Sequence, residues 1–273
     1  MSFIVRFYLL ALLLAFQSAN AIASCSDWLT LKPNSKKETF ILAMGANTGD
    51  LKMANHDAQS FAKAMQKRYK VPKSHVCVYS NVKRGQFEKA LKRLAKLVRK
   101  KDRVFIFFSG HGTTLKDIKN KDEKDCLDEA FVMQRRSLRD DDFVAKVNRL
   151  KTDHITTFLD SCFSSGMLRG KKGCPKGVKT KFWLNPKTVN TLPSRSCRVR
   201  KLLKKLKGTL YAAAKEDQLA WESPKGGIFT YTFLKNMKTR PRATLDNIFR
   251  LTAKQVAKAT KNTACEQHPQ KWP

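Results

Sequence analysis

Two short segments of this chain hold residue types suited to covalent chemistry. They are Phe107-Phe108-Ser109-Gly110-His111-Gly112 and Asp160-Ser161-Cys162-Phe163-Ser164-Ser165-Gly166. A thiolate is a strong nucleophile, and an imidazole beside it can favour the thiolate and manage protons. His111 and Cys162 lie 51 positions apart, so only the fold can bring them together. A buried structural cysteine and a loop histidine would give the same two residue types. The flanking glycines favour the chemical reading: Gly110 and Gly112 let the backbone come close to a bound peptide, and amides around Gly112 and Cys162 can face an oxyanion.

Both segments follow apolar runs that read as strands. Thr39 to Met44, Val76 to Tyr79, Arg103 to Phe108 and Ile155 to Leu159 are short and apolar, and helical spacing separates them at His56 to Tyr69, Phe87 to Val98 and Phe143 to Leu150. Continuous apolar strands alternating with helices predict a parallel sheet covered on both faces. The loops at the carboxyl ends of such strands form the ligand crevice, which places both segments on one edge. Residues 168–207 are dense in Gly, Pro, Lys and Arg and read as a long basic surface loop. Order resumes with a strand at Thr209 to Ala213 and helices near Phe229 to Asn236 and Leu245 to Ala259.

Met1 to Ala21 has the layout of a signal peptide, with one early charge at Arg6, an apolar stretch from Phe7 to Phe16 and a small-residue end. That stretch is well short of the ~20 residues needed to span a bilayer, so no transmembrane span is expected in the mature chain. Cleavage after Ala21 is one exit; an alternative ends at Ser24, before a lipidated Cys25. The expected location is periplasmic or secreted, or lipid-anchored through Cys25. Seven cysteines occur, and keeping Cys162 as a thiol leaves six, an even number suited to disulfides in an exported protein. Cys174 and Cys197 bracket one loop-like stretch and form the first expected pair. No Cys-x-x-Cys motif is present, which argues against disulfide-exchange chemistry. The formal net charge of +33 is spread along the chain and would attract nucleic acid, acidic polysaccharide or anionic membrane alike.

The two segments resemble the catalytic motifs of the caspase superfamily, in its metacaspase branch. Leu42-Ala43-Met44-Gly45 with Leu51 to Ala58, Asp128-Glu129-Ala130, Asp217-Gln218 with Gly227-Ile228-Phe229-Thr230, and Gln267-His268-Pro269-Gln270 extend the likeness over residues 38–270. The resemblance implies an α/β caspase-like three-layer sandwich, with a mostly parallel sheet of about six strands flanked by helices. It also implies a cysteine endopeptidase that works through His111 and Cys162 on protein or peptide substrates. Ala54 stands where many relatives carry a second cysteine, so that thiol's role is absent.

Ser109 and His111 are two apart at one strand end, as are Asp160 and Cys162, so each pair can project to one side of the sheet. Asp57 falls where relatives have an acidic residue in their first helix; it can equally cap that helix. Asp57, Ser109 and Asp160 together would suit a Lys or Arg side chain and repel an aspartate. No cofactor is required for this chemistry. Calcium is a candidate ligand, because Asp125, Asp128, Asp140 and Asp141 belong to an acidic island where calcium-dependent relatives bind the ion. Against it, a further acidic ligand of those relatives falls near Arg169. Arg200 to Lys207 offers sites for self-cleavage, for polyanion contact or for plain exposure. The rival to the peptidase is an inactive caspase-like scaffold that binds polyanions through its basic surface.

Overall fold

The computed structural model describes residues 25–116, 127–162, 174–183, 205–215 and 218–273. The leader, its alternative end at Ser24, Asp125, the Arg200 to Lys204 sites and most of the basic loop lie outside the described residues.

In chain order the elements are α1 (Asp27–Thr30), β1 (Thr39–Gly45), α2 (Ala54–Tyr69), β2 (Val76–Tyr79), α3 (Arg84–Leu97) and β3 (Arg103–Ser109). There follow β4 (Gly112–Lys116), β5 (Leu127–Phe131), β6 (Leu138–Arg139), α4 (Asp140–Val147), β7 (Ile155–Asp160) and β8 (Lys179–Thr180). The chain closes with β9 (Thr209–Ala212), β10 (Trp221–Ser223), β11 (Gly226–Gly227), α5 (Ile228–Thr239), α6 (Leu245–Thr260) and β12 (Gln270–Trp272).

The central sheet runs β12-β9-β7-β3-β1-β2, parallel throughout except for β12 at one edge. Strand alternation divides the core into two layers. Phe40, Leu42 and Met44 of β1 and Val104, Ile106 and Phe108 of β3 pack with α3 and α4. Ile41 and Ala43, with Phe105 and Phe107, pack with α2, α5 and α6 on the opposite face. Each of these buried side chains except Ala43 contributes roughly 1.5–3 kcal/mol of transfer free energy. Among the described residues, α2 to α6 flank the six strands, giving the expected three-layer sandwich.

The register sets the site. Gly45, Ser109 and Asp160 stand side by side at the ends of β1, β3 and β7. Side chains at 109 and 160 continue the alternation of Phe107 and Phe158 and so face α2 and α5. Two small sheets, β4-β5-β6 and β11-β10-β8, cover this edge.

Several expectations are corrected. The helix expected at Phe143 to Leu150 begins at Asp140, because Asp140, Asp141 and Asp142 in its first turn complement the helix dipole. Within the expected surface loop, residues 179–183 are ordered, and Lys181 and Phe182 are buried. Cys174 pairs with Cys265 rather than Cys197, since the fold brings the end of α6 beside the loop. Cys25 bonds to Cys77 on β2, which uses the sulfur that a lipid anchor would need.

Candidate active site

Asp57 sits in the first turn of α2 and Asp160 at the end of β7, and both are buried. Ser109 Oγ donates to Asp57 Oδ2 at 2.8 Å, and the Gly227 amide donates to the same oxygen at 3.0 Å. Asp160 Oδ2 accepts from the Thr230 hydroxyl at 2.5 Å and from the Thr230 amide at 3.2 Å. Each carboxylate thus keeps one oxygen tied to the scaffold, as a buried charge requires. Gly226 and Gly227 form the wall between them. A Cβ on Gly227 would come within 2.1 Å of Asp160 Oδ2, and Gly226 also holds a φ of +121° that other residues resist.

The acidic pocket formed in this way contains Lys181, which is fully buried. Its Nζ lies 3.1 Å from Asp160 Oδ1, 3.4 Å from Asp57 Oδ2 and 2.7 Å from Ser109 Oγ. Burial alone would lower the ammonium's pKa, but Asp160, Asp57 and Glu222 outweigh it and hold Lys181 above its ordinary value. Burial raises Asp57 to about 6 even with the ammonium beside it. A lysine this deep is tolerated only when paired, and here it has two partners.

The backbone around Lys181 is also held on both sides. Lys179 and Thr180 pair antiparallel with Glu222 and Trp221. The Lys181 amide donates to the Ala220 carbonyl at 2.9 Å, while its carbonyl accepts from the Gly112 amide at 2.8 Å. Beyond it, the Trp183 amide donates to the Gly112 carbonyl at 2.8 Å, and Thr113 Oγ1 donates to the Trp183 carbonyl at 2.7 Å.

His111 and Cys162 flank this strap from opposite elements. The His111 ring is buried, with Nδ1 3.0 Å from Thr48 Oγ1, Nε2 3.5 Å from Asp50 Oδ1, and the Trp183 indole edge-on at 5.4 Å. Burial pulls its pKa down to about 4, with Asp50 opposing and Lys181 adding, so the imidazole is neutral at pH 7. Cys162 Sγ accepts from the Ala220 amide at 2.9 Å and lies 3.3 Å from the Ala220 carbonyl. It stands 4.0 Å from Thr180 Oγ1. Burial pushes this thiol up to about 12. The Cys162 carbonyl packs so closely on Gly112 that an added Cβ would lie 1.5 Å from its oxygen. The sulfur is therefore a protonated thiol turned onto Ala220, and no hydrogen bond joins it to the ring in this occupied state.

A model of the caspase domain matches residues 39–272. The chain belongs to the caspase-domain family. The caspase fold also carries the likeness to the crystal structure of protein GSU0716 from Geobacter sulfurreducens, at a TM-score of 0.61 and 20% identity. That match covers 86% of this chain and 92% of the other. No curated protein matches the chain. Caspase-domain proteins are cysteine peptidases, and Ser109 and Asp160, one from each motif, pair at the carboxyl edge of the sheet.

The structure brings Asp57, Ser109 and Asp160 into one pocket, with Gly112 and Cys162 beside it. Asp140 and Asp141 lie elsewhere, at the start of α4. The side chain of Asp128 is outside the described residues, and among the described residues no three His, Cys, Asp or Glu converge on a metal position. Thr48 and Asp50, which contact the imidazole, carried no signal in the sequence. Glu222 accepts from the Lys52 amide at 2.8 Å and the Met53 amide at 3.1 Å, so it anchors the entry to α2 and thereby Asp57. The Gly226-Gly227 pair could have marked a close approach, but nothing in the sequence marked Lys181.

Proposed function

We propose that this chain is a cysteine endopeptidase of metacaspase type that cuts after Lys or Arg, with Cys162 as nucleophile and His111 as its proton partner. The observation that carries this reading is Lys181 itself. A basic side chain fills the pocket of Asp57, Asp160 and Ser109 while its carbonyl rests on the Gly112 amide. An incoming Lys or Arg would bind the same way, and an aspartate would meet two buried carboxylates. Cys162 then attacks the carbonyl carbon, His111 hands a proton to the leaving amine, and the amides of Gly112 and Cys162 steady the oxyanion. Water hydrolyses the thioester. In the occupied state the thiol is protonated and the imidazole neutral, so a base-assisted attack fits better than a preformed ion pair.

Replacing Cys162 with Ala should lower turnover of an Arg-ending fluorogenic peptide at least ~10³-fold while the protein stays folded. Full turnover by Cys162→Ala would remove the mechanism. Asp140 and Asp141 would be the residues to hold calcium: Asp140 Oδ1 is buried without a hydrogen-bond partner, and burial followed by Asp141 raises Asp140 to about 7, which a cation would relieve. Export is supported by two disulfides among the described residues, bonds that persist in oxidising compartments. No helix among the described residues is long and apolar enough to cross a membrane.

A second reading, polyanion binding, is favoured by one cavity of about 950 Å³ between α2 and α5. Lys63, Lys67, Arg68, Lys225, Lys235 and Lys238 line it. Salt-sensitive capture of heparin or DNA, without peptide turnover under calcium and reductant, would favour this reading over the peptidase.

A further inference from the structure

We propose, resting on the peptidase reading above, that Asp50 is a positioning residue for peptide hydrolysis: it holds the His111 ring and balances its charge while the ring carries a proton. The loop between β1 and α2 supplies the geometry.

His111 Nε2 lies 3.5 Å from Asp50 Oδ1 and Nδ1 lies 3.0 Å from Thr48 Oγ1, so one short loop meets both ring nitrogens. A carboxylate can only accept, which puts the ring proton on Nε2 and leaves Nδ1 to take the thiol's proton once the Thr48 hydroxyl turns aside. The loop is braced well enough to aim these groups. The Leu51 amide donates to the Thr48 carbonyl at 3.1 Å, the Asn47 amide to Asn81 Oδ1 at 3.1 Å, and Asn47 Nδ2 to the Lys52 carbonyl at 2.8 Å. Gly49 holds a φ of +56°, and an added Cβ there would lie 2.0 Å from the Trp183 ring.

An aspartate just ahead of a helix ordinarily caps it. At α2 other groups do that work: Glu222 accepts from the Lys52 and Met53 amides, and Asn47 Oδ1 accepts from the Asn55 amide at 3.0 Å. Among the described residues, the His111 ring is what the Asp50 carboxylate meets.

The surrounding charges call for such a partner. Lys181 acts on the ring from the acidic pocket, and Lys179 Nζ donates to the Asp50 carbonyl, so two cations oppose a third. Asp57 and Asp160 are committed to Lys181. Cys162, at the end of β7, gains a negative charge only when its proton leaves. Burial disfavours a charged ring most, and Asp50 is the largest influence against it. During turnover the thiol proton moves to Nδ1, the imidazolium forms against the carboxylate, and the proton then passes to the leaving amine. Asp50 takes no proton at any stage. The contact with Nε2, long at rest, tightens as the ring becomes charged.

The test compares the full chain as wild type, Asp50→Asn and Asp50→Glu in turnover of an Arg-ending fluorogenic peptide across acid and neutral pH. Asp50 is exposed, so both variants should fold. Asp50→Asn should lower kcat at least ~10-fold and leave KM within about twofold. It should also move the acid limb of kcat/KM to lower pH, because the ring loses the group that favours its protonated form. Asp50→Glu should restore part of kcat. In Cys162→Ala, the His111 ring titrated by NMR should show a lower pKa when residue 50 carries the Asn substitution. An Asp50→Asn enzyme that matches the wild type in kcat, or loses kcat while the acid limb and the ring titration stay put, overturns the assignment alone. No turnover by any folded form, wild type included, overturns the peptidase reading and this role with it.

Discussion

At the scale of single residues, the site is a set of buried charges held apart by a cation. Breaking a buried ion pair by removing one partner typically costs ~3–5 kcal/mol. Asp160→Asn should therefore lower the melting temperature by several degrees and weaken binding of Arg-ending peptides, both measurable on the Cys162→Ala background. His111 gives a pH prediction whose sign is fixed. Its folded pKa of about 4 lies below the unfolded value near 6.5, so the unfolded chain takes up the proton first. Its contribution, about 3 kcal/mol, is fully present above pH 6.5 and is lost as pH falls toward 4. Unfolding midpoints in denaturant between pH 4 and 7 should show this loss, and His111→Asn should flatten it. Asp57, Ser109 and Asp160 were legible because strand alternation and the likeness of the first helix place them. Lys181 was not, because no local pattern says which of many loop lysines is threaded back into the core.

At the scale of elements, the strands and helices that carry the site follow from periodicity, and their bounds agree within a few residues. The three small additions do not. The sheet of β4 to β6, the sheet of β8 with β10 and β11, and the edge strand β12 are short and gain their pairing from the chain around them. Gly226 and Gly227 show why this matters, since β11 is only these two residues and yet forms the pocket wall. Gly227→Ala should force Asp160 or Lys181 to move, destabilise the protein by about 1–3 kcal/mol and impair peptide hydrolysis. Glu222 links β10 to the start of α2 through two amide hydrogen bonds. Glu222→Ala should loosen Asp57 and raise KM for Arg-ending peptides more than it lowers kcat.

At the scale of the whole molecule, the charge and the cysteines act over distances that the motifs do not. Lysines dispersed in the sequence gather on two helix faces around the α2–α5 cavity, a grouping that net charge alone could not locate. Heparin affinity should fall steeply with salt, and replacing Lys63 and Lys67 with Gln should lower the salt slope by about 2 if both contact the polyanion. Even cysteine numbers signalled bridges, but pairing depends on tertiary neighbours, which is why Cys174 found Cys265. That bridge also tethers the pocket's occupant. Lys181 lies seven residues beyond Cys174, so the strap that fills the acidic pocket is leashed to the body of the protein. A short leash holds such a side chain at an effective concentration on the order of millimolar. Dilution, which strips weak ligands from most pockets, would leave this one filled.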